Sequence, residues 1–301
     1  MSYWEGLLLS QASIGHIAHS EKDWESGRLF SLQEQISHKR SFIEQELEDV
    51  QVPIVLLLLG HHGYVGAWKV EHSDLEPRDM PQAIQSRNRK LKERKDNTMH
   101  EIDAKLLNVG HSIGAYISLE IFRRYHEKVI YCIGLYPFLA LNAESSTQSS
   151  IKGLAASSAL CAAVSSMGAL LGMLPVYISR FLVKESMGFF GSVLIKLSIQ
   201  YHTIRNILFM AMTEFQEMPE KPDWDFLRRK KSQVAFLFGL DDHWGPMHLY
   251  EEIRKQVPEA SVEVEREGHT HAFSCTEAGS LWVAQHVSSL IKNNIENAKS
   301  I

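Results

Sequence analysis

The sequence predicts an α/β fold, a mostly parallel central sheet flanked by helices, and three observations carry that reading. An apolar run, Leu106-Leu107-Asn108-Val109, ends at Gly110-His111-Ser112-Ile113-Gly114, and Ala115 to Phe122 then place apolar residues three and four apart with no breaker. A second apolar run, Val234-Ala235-Phe236-Leu237-Phe238, opens into the acidic turn Gly239-Leu240-Asp241-Asp242. A third, Ser261-Val262-Glu263-Val264-Glu265, alternates apolar and charged residues as a half-buried strand does, and leads into Gly268-His269-Thr270-His271-Ala272-Phe273.

The first of these segments carries chemistry. A serine between two glycines, after a strand and before a helix, is the Gly-x-Ser-x-Gly nucleophile elbow, in which only glycine lets the two backbones approach closely enough. Ser112 is thus the candidate nucleophile, and the N–H of Ile113, the next residue, is one candidate oxyanion donor. A serine hydroxyl needs a base to take its proton and an acid to hold that base, so an acid and then a histidine should follow in the chain. Both do. Asp242 is preferred to Asp241, because a glycine three residues before it and Pro246 four after resemble the acid loop of α/β-hydrolases; two ordinary loop aspartates are the alternative. Among fifteen histidines no single one stands out by type. Position selects the pair His269 and His271, after the last strand and just before the final helix. His271 is the first choice and His269 the alternate; a zinc site at this pair lacks a third ligand.

Along the chain, the elements are justified in turn. Met1 to Ser13 holds a short apolar run, Leu7-Leu8-Leu9, too brief for a signal-peptide core or a membrane span and without a basic leader. Pro53 to His61 reads as a buried strand ending in Gly-His. Residues 61–109 form a polar insertion, densest from Glu71 to Lys105, with too few apolar residues to offset its ordering entropy, so it is expected to be partly disordered or a solvated helix. Its basic cluster, Arg87 to Asp96, is interspersed with acids and lacks aromatics, which argues for a solvated face and against nucleic acid. A second account of the same stretch makes His61-His62-Gly63-Tyr64-Val65-Gly66 the oxyanion loop and Leu106–Val109 the true nucleophile strand. After Tyr136-Pro137 comes an apolar cap, residues 143–219. No charge falls between Gly153 and Ser179, a length that could cross a bilayer, although Ser, Gly and Ala are frequent and Pro175 interrupts it. A further apolar stretch, Met187 to Ile195, is bordered by Arg180, Lys184 and Lys196.

Composition sets the outer bounds. A chain of 301 residues with 45% hydrophobic residues can build one α/β domain over 1–301, and a net charge of −5 argues against a nucleic-acid protein. Three scattered cysteines make no disulfide framework and suit a reducing compartment. No phosphate-cradling loop or metal-ligand cluster appears, so neither cofactor nor metal is expected.

Taken together, Gly110 to Tyr116, Tyr136-Pro137, Gly239 to Pro246 and His271-Ala272-Phe273 resemble the lipid droplet-associated hydrolase family, α/β-hydrolases of lipid storage. The likeness covers most of residues 110–292. It extends to Ile14-Gly15-His16-Ile17-Ala18-His19 and to Leu32-Gln33-Glu34-Gln35-Ile36-Ser37-His38-Lys39, where the family has a His-rich loop and then a helix before its nucleophile strand. The resemblance implies Ser112 as nucleophile, Asp242 as acid and His271 as base, the His-Ala-Phe triplet favouring His271. It also makes Pro53–His61 the strand that should lead into Ser112. Family members begin with an apolar strand and a Gly/Pro loop that supplies an oxyanion N–H. Nothing from Met1 to Val52 resembles that unit, so the N-terminal strands are expected to be missing. The implied substrates are neutral lipid esters, sterol esters or acylglycerols. The implied place is the lipid droplet or a membrane surface, on the cytoplasmic side or at the endoplasmic reticulum. Rival readings are a weakly active or non-catalytic droplet-binding protein that keeps the fold, and a soluble esterase whose cap packs inward.

Overall fold

A computed structural model describes residues 9–16, 29–46, 54–58, 64–70, 105–173 and 201–299. The elements in chain order are β1 (Leu9–His16), α1 (Leu32–Glu46), β2 (Ile54–Leu58), β3 (Tyr64–Val70), β4 (Leu106–His111), α2 (Ile113–Arg124), β5 (Val129–Leu135), α3 (Ser146–Ala156), α4 (Ser158–Met173), α5 (Tyr201–Glu217), α6 (Trp224–Arg229), β6 (Val234–Gly239), α7 (Met247–Gln256), β7 (Ser261–Glu265) and α8 (Glu277–Lys299). One seven-stranded sheet has the order β1-β3-β2-β4-β5-β6-β7. Strands β2, β4, β5, β6 and β7 run parallel, while β3 is antiparallel to both β2 and β1. The mostly parallel α/β architecture expected from the sequence is therefore the one observed.

Two expectations need correction at the edge of the sheet. Residues 64–70 lie within the stretch read as a polar insertion, yet they are strand β3; residues 106–109, at the end of that stretch but also read as the apolar run before Ser112, form β4. Tyr64-Val65-Gly66-Ala67-Trp68-Lys69-Val70 is rich in β-branched and aromatic residues, which suit a pleated surface, and its seven residues are diluted in any average that includes the charged segment after them. Residues 71–104, with the basic cluster, lie outside the described residues. The edge expected to lack strands is occupied by β3 and β1, and Ile14–His16, read as part of a loop, belong to β1. Strand β2 does not feed Ser112; it lies beside β4, which does, with Leu57 opposite Val109. The second account of the nucleophile strand is thus the one the sheet follows.

The chain, read as one domain from its sequence, divides into two compact units: Met1–His16 with Ile36–Leu139 and Pro222–Ile301, and Ile17–Gln35 with Ala140–Lys221. The sheet belongs to the first. Its core alternates along the strands as period two requires: Leu107 and Val109, Tyr131, Ile133 and Leu135, and Ala235 and Leu237 face Val283, Val287 and Ile291 of α8. Helix α2 buries Ile113, Ala115, Ile117, Ile121 and Phe122 on the other face, where a Cβ on Gly134 would stand 3.3 Å from the Ala115 methyl.

In the second unit, the start of α1 and the residues just before it are pinned to α5: Phe30 N–H donates to Asn206 Oδ1 at 2.9 Å and Leu32 N–H to Thr213 Oγ1 at 3.0 Å. Helix α4 exposes Leu160 (51%), Met167 (49%) and Leu170 (64%). Among the described residues no single helix is long and apolar enough to cross a membrane; α3 and α4 satisfy length and composition only as a pair bent by 96°. Pro175 and Met187–Ile195 lie outside the described residues.

Glu214 of α5 is buried, which pushes its carboxyl up from 4.5 to about 8. An unfolded carboxyl loses its proton near 4.5, whereas the folded one keeps it to about 8. The folded state therefore binds the extra proton across that window, and this contribution to stability falls as pH rises through it. Glu214→Gln removes the ionisation and keeps the shape. The expected outcome is a melting temperature that gains on the wild type as pH is raised from about 5 to about 8; parallel melting profiles for the two proteins would show the carboxyl to be ordinary.

Candidate active site

The elbow is built by contacts too close for any side chain. A Cβ on Gly110 would lie 2.2 Å from the Gly114 carbonyl oxygen, and one on Gly114 would lie 2.2 Å from the Leu58 carbonyl oxygen. Both obstacles are backbone, so neither can give way. Between the two glycines Ser112 adopts φ 58°, ψ −128°, a left-handed conformation that non-glycine residues rarely hold. Its strain is fixed on both sides: Ser112 N–H donates to Leu135 O at 3.0 Å, and Ser112 O accepts from Ala115 N–H at 2.9 Å and from Phe138 N–H at 3.2 Å. Ser112 thereby sits where β4 ends and α2 begins. Ile113 is the first residue of α2, so its N–H belongs to the first helical turn, whose donors have no intrahelical acceptor, and the helix dipole adds partial positive charge there.

Strand β6 is buried along its length and delivers the acid loop. Gly239 is required where the loop starts, because a Cβ would meet the Tyr136 ring at 2.6 Å. Asp242 comes three residues later, its Oδ1 accepting from Trp244 N–H at 2.9 Å and its Oδ2 standing 2.9 Å from His271 Nδ1. This pair is largely withdrawn from solvent, with 1% of the Asp242 side chain and 13% of the His271 side chain exposed. The carboxylate can only accept, so Nδ1 carries the hydrogen and Nε2 keeps its lone pair. That is the tautomer a general base requires.

Of the residues singled out in the sequence, Asp242 and His271 are brought into contact and Ser112 lies at the elbow in the same unit. Ser112 Oγ and His271 Nε2 are both buried, and neither has a hydrogen-bond partner among the described residues. Asp241 is exposed. His269 turns to another neighbour, its ring 5.9 Å from that of Trp282, which stacks in turn on His286. The first half of the alternative oxyanion loop, residues 61–63, lies outside the described residues; Tyr64–Gly66 are part of β3.

Two residues of the site were quoted in the sequence patterns without being given a role. His111, the last residue of β4, places Nε2 3.0 Å from the His271 carbonyl oxygen and its ring 4.8 Å from the His271 ring. Tyr136, just after β5, has φ 45°. Its ring stacks on Phe273 at 5.2 Å and its hydroxyl donates to the His269 carbonyl at 3.1 Å, with Glu265 Oε2 at 3.5 Å. Burial, reinforced by the Glu265 and Asp242 carboxylates, pushes the Tyr136 phenol upward, so it remains a donor at any working pH.

With this geometry in view, the relatives can be placed. The family described as Lipid-droplet associated hydrolase matches residues 71–274. A lipid droplet-associated hydrolase of Dictyostelium discoideum is 25% identical over 275 residues, covering 86% of this chain and 70% of that protein. Those of Gallus gallus and Mus musculus are 28% and 27% identical, each over 57% of this chain, and the chain spans 54% and 53% of their lengths. Among solved structures, an esterase of Thermogutta terrifontis aligns at TM-score 0.45 and 13% identity over 81% of this chain and 90% of its own. A haloalkane dehalogenase of Agrobacterium tumefaciens C58 aligns at TM-score 0.45 and 12% identity over 81% and 90%. A family match over more than half of the 301 residues, on a chain with a Gly-x-Ser-x-Gly turn between strand and helix and a mostly parallel sheet, leads to one conclusion: this chain belongs to the lipid-droplet associated hydrolase family.

Proposed function

We propose that this protein is a serine hydrolase of neutral lipid esters, sterol esters or acylglycerols, acting at the lipid droplet in lipid storage or turnover. The observation that carries the proposal is the Asp242–His271 pair, whose 2.9 Å contact leaves the imidazole Nε2 as an acceptor. Ser112 Oγ attacks the ester carbonyl as His271 Nε2 takes its proton, and Asp242 stabilises the imidazolium that forms. The Ile113 N–H and the N-terminus of α2 bind the oxyanion. The alcohol then leaves with the proton from His271, and water repeats the sequence on the acyl-serine. The test is to label the purified chain with a fluorophosphonate and map the adduct by peptide mass spectrometry. Modification confined to Ser112 supports the mechanism; no adduct, or an adduct elsewhere, refutes it.

One observation favours a second reading, a weakly active or non-catalytic droplet-binding protein. Ser112 Oγ and His271 Nε2 are not hydrogen-bonded to each other. Catalytic hydrogen bonds often tighten only when substrate is bound, so the labelling rate separates the two.

Droplet binding is proposed to run through α4. Leu160, Met167 and Leu170 are seven and three residues apart, hence on one helical face, and all three are exposed. A droplet has one phospholipid leaflet over neutral lipid, so an interfacial helix is the form that fits. Burying a leucine contributes about 1.5–3 kcal/mol. Leu160→Glu with Leu170→Glu is therefore expected to lower co-flotation with triolein droplets coated in phosphatidylcholine by at least about tenfold. Undiminished flotation would move the anchor elsewhere.

A further inference from the structure

We propose that His111, the residue before the candidate nucleophile, is a positioning residue: its imidazole clamps the main chain of the general base to the end of the nucleophile strand. This inference rests on the reading of Ser112 and His271 as nucleophile and base.

The acceptor of the His111 bond is a carbonyl oxygen, which cannot donate, so His111 Nε2 carries the hydrogen and donates it to His271 O at 3.0 Å. The ring is wedged as well as bonded: its centroid lies 4.8 Å from His271, 4.9 Å edge-on to Phe273 and 6.4 Å edge-on to Tyr136. The base loop needs such a tether. After β7 the chain turns through Gly268 at φ 86°, and the backbone bonds around His271 are short-range ones within the loop and its exit, Phe273 N–H to Thr270 O and Cys275 N–H to Ala272 O.

Across the loop, side chains hold it. Tyr136 binds the carbonyl of His269 and His111 the carbonyl of His271, so the two oxygens flanking Thr270 are fixed from the ends of adjacent strands β5 and β4. With Asp242 on Nδ1, His271 is gripped at its backbone and at its ring. His111 is covalently next to Ser112, so one side chain sets the separation of base and nucleophile.

The experiment compares two variants of the full chain that divide the ring from the donor. His111→Phe keeps the aromatic contacts and loses the N–H; His111→Gln loses the ring and keeps an N–H near the Nε2 position. Misplacing a reacting group by about 1 Å costs about 100-fold in rate. His111→Phe is accordingly expected to lower kcat on a soluble nitrophenyl ester by about 10- to 100-fold with KM little changed, and His111→Gln to recover most of the loss. A second readout is independent of turnover. The low-field proton resonance of His271 Nδ1–H, identified by its loss in Asp242→Asn, should persist in His111→Gln and broaden or vanish in His111→Phe. A wild-type resonance and kcat in His111→Phe, or equal losses in both variants, overturns the clamp. If strand β4 does not tolerate phenylalanine, His111→Ala, which lacks both ring and donor, takes its place, and the clamp requires His111→Gln to keep more kcat and a sharper resonance than His111→Ala. Failure of the catalytic reading looks different: Ser112 then goes unlabelled in the wild type, while the proton resonance still decides whether His111 orders His271.

Discussion

Ser112→Ala is expected to lower ester hydrolysis by about 10⁶-fold, the scale on which a lone triad serine is missed elsewhere, and to make the protein more stable. The two effects share one origin. Ser112 Oγ is buried without a hydrogen-bond partner among the described residues, and a buried unsatisfied hydroxyl costs about 1–3 kcal/mol. The backbone obstacle is the same for both residues, since alanine at φ 58° bears a Cβ just as serine does. What changes is the oxygen alone. Removing it relieves the desolvation penalty while removing the proposed nucleophile, the trade expected where a site is held for function at the expense of stability. The melting temperature should rise by about 2 °C or more, on the usual scale of 2–4 °C per kcal/mol for large domains. The checks are a hydrolysis assay with Ser112→Ala and a thermal melt on the same sample. A variant that keeps its activity would remove Ser112 from the chemistry. One that loses activity and also melts well below the wild type would indicate that the hydroxyl is structural.

The parts of this site legible in the sequence are those written in short-range pattern. Gly110 declares the elbow because the carbonyl that forbids a side chain there, that of Gly114, is brought close by the strand's own reversal into a helix; the Leu58 carbonyl that crowds Gly114 comes from the neighbouring strand β2 and is not written in the motif. Asp242 and His271 are found by their places after apolar runs, and their 2.9 Å contact joins two such places. His111 is invisible for the opposite reason: its partner carbonyl is 160 residues away, and at the open position of Gly-x-Ser-x-Gly any residue satisfies the pattern. Tyr136 binds a carbonyl 133 residues distant. Strand β3 is lost to averaging, since seven residues of strand character abut a charged segment several times as long. Geometry of long sequence separation and structure shorter than the reading window are the two kinds of information that residue pattern does not hold.

Asp242→Asn is expected to lower kcat by about 10⁴-fold without loosening the fold, and the reason lies in which oxygen does what. Oδ1 accepts from the Trp244 N–H, and Oδ2 accepts from His271 Nδ1. An asparagine in this place keeps its single oxygen on the Trp244 N–H, because its NH₂ group would set donor against donor there. The NH₂ is thereby turned toward His271, where Nδ1 can meet it only as an acceptor. The ring proton moves to Nε2, and the atom proposed to take the Ser112 proton already holds one. A 10⁴-fold loss corresponds to about 5.5 kcal/mol of transition-state stabilisation, far more than the roughly 1 kcal/mol of an ordinary hydrogen bond. That excess marks a tautomer effect as distinct from a weakened contact. Asp241→Asn, on the neighbouring exposed residue, should change kcat by less than about twofold, as surface substitutions usually do little. Rates measured on both variants, each with a melting curve, decide the matter. Equal and modest losses would mean that the carboxylate anchors the loop and leaves the imidazole indifferent.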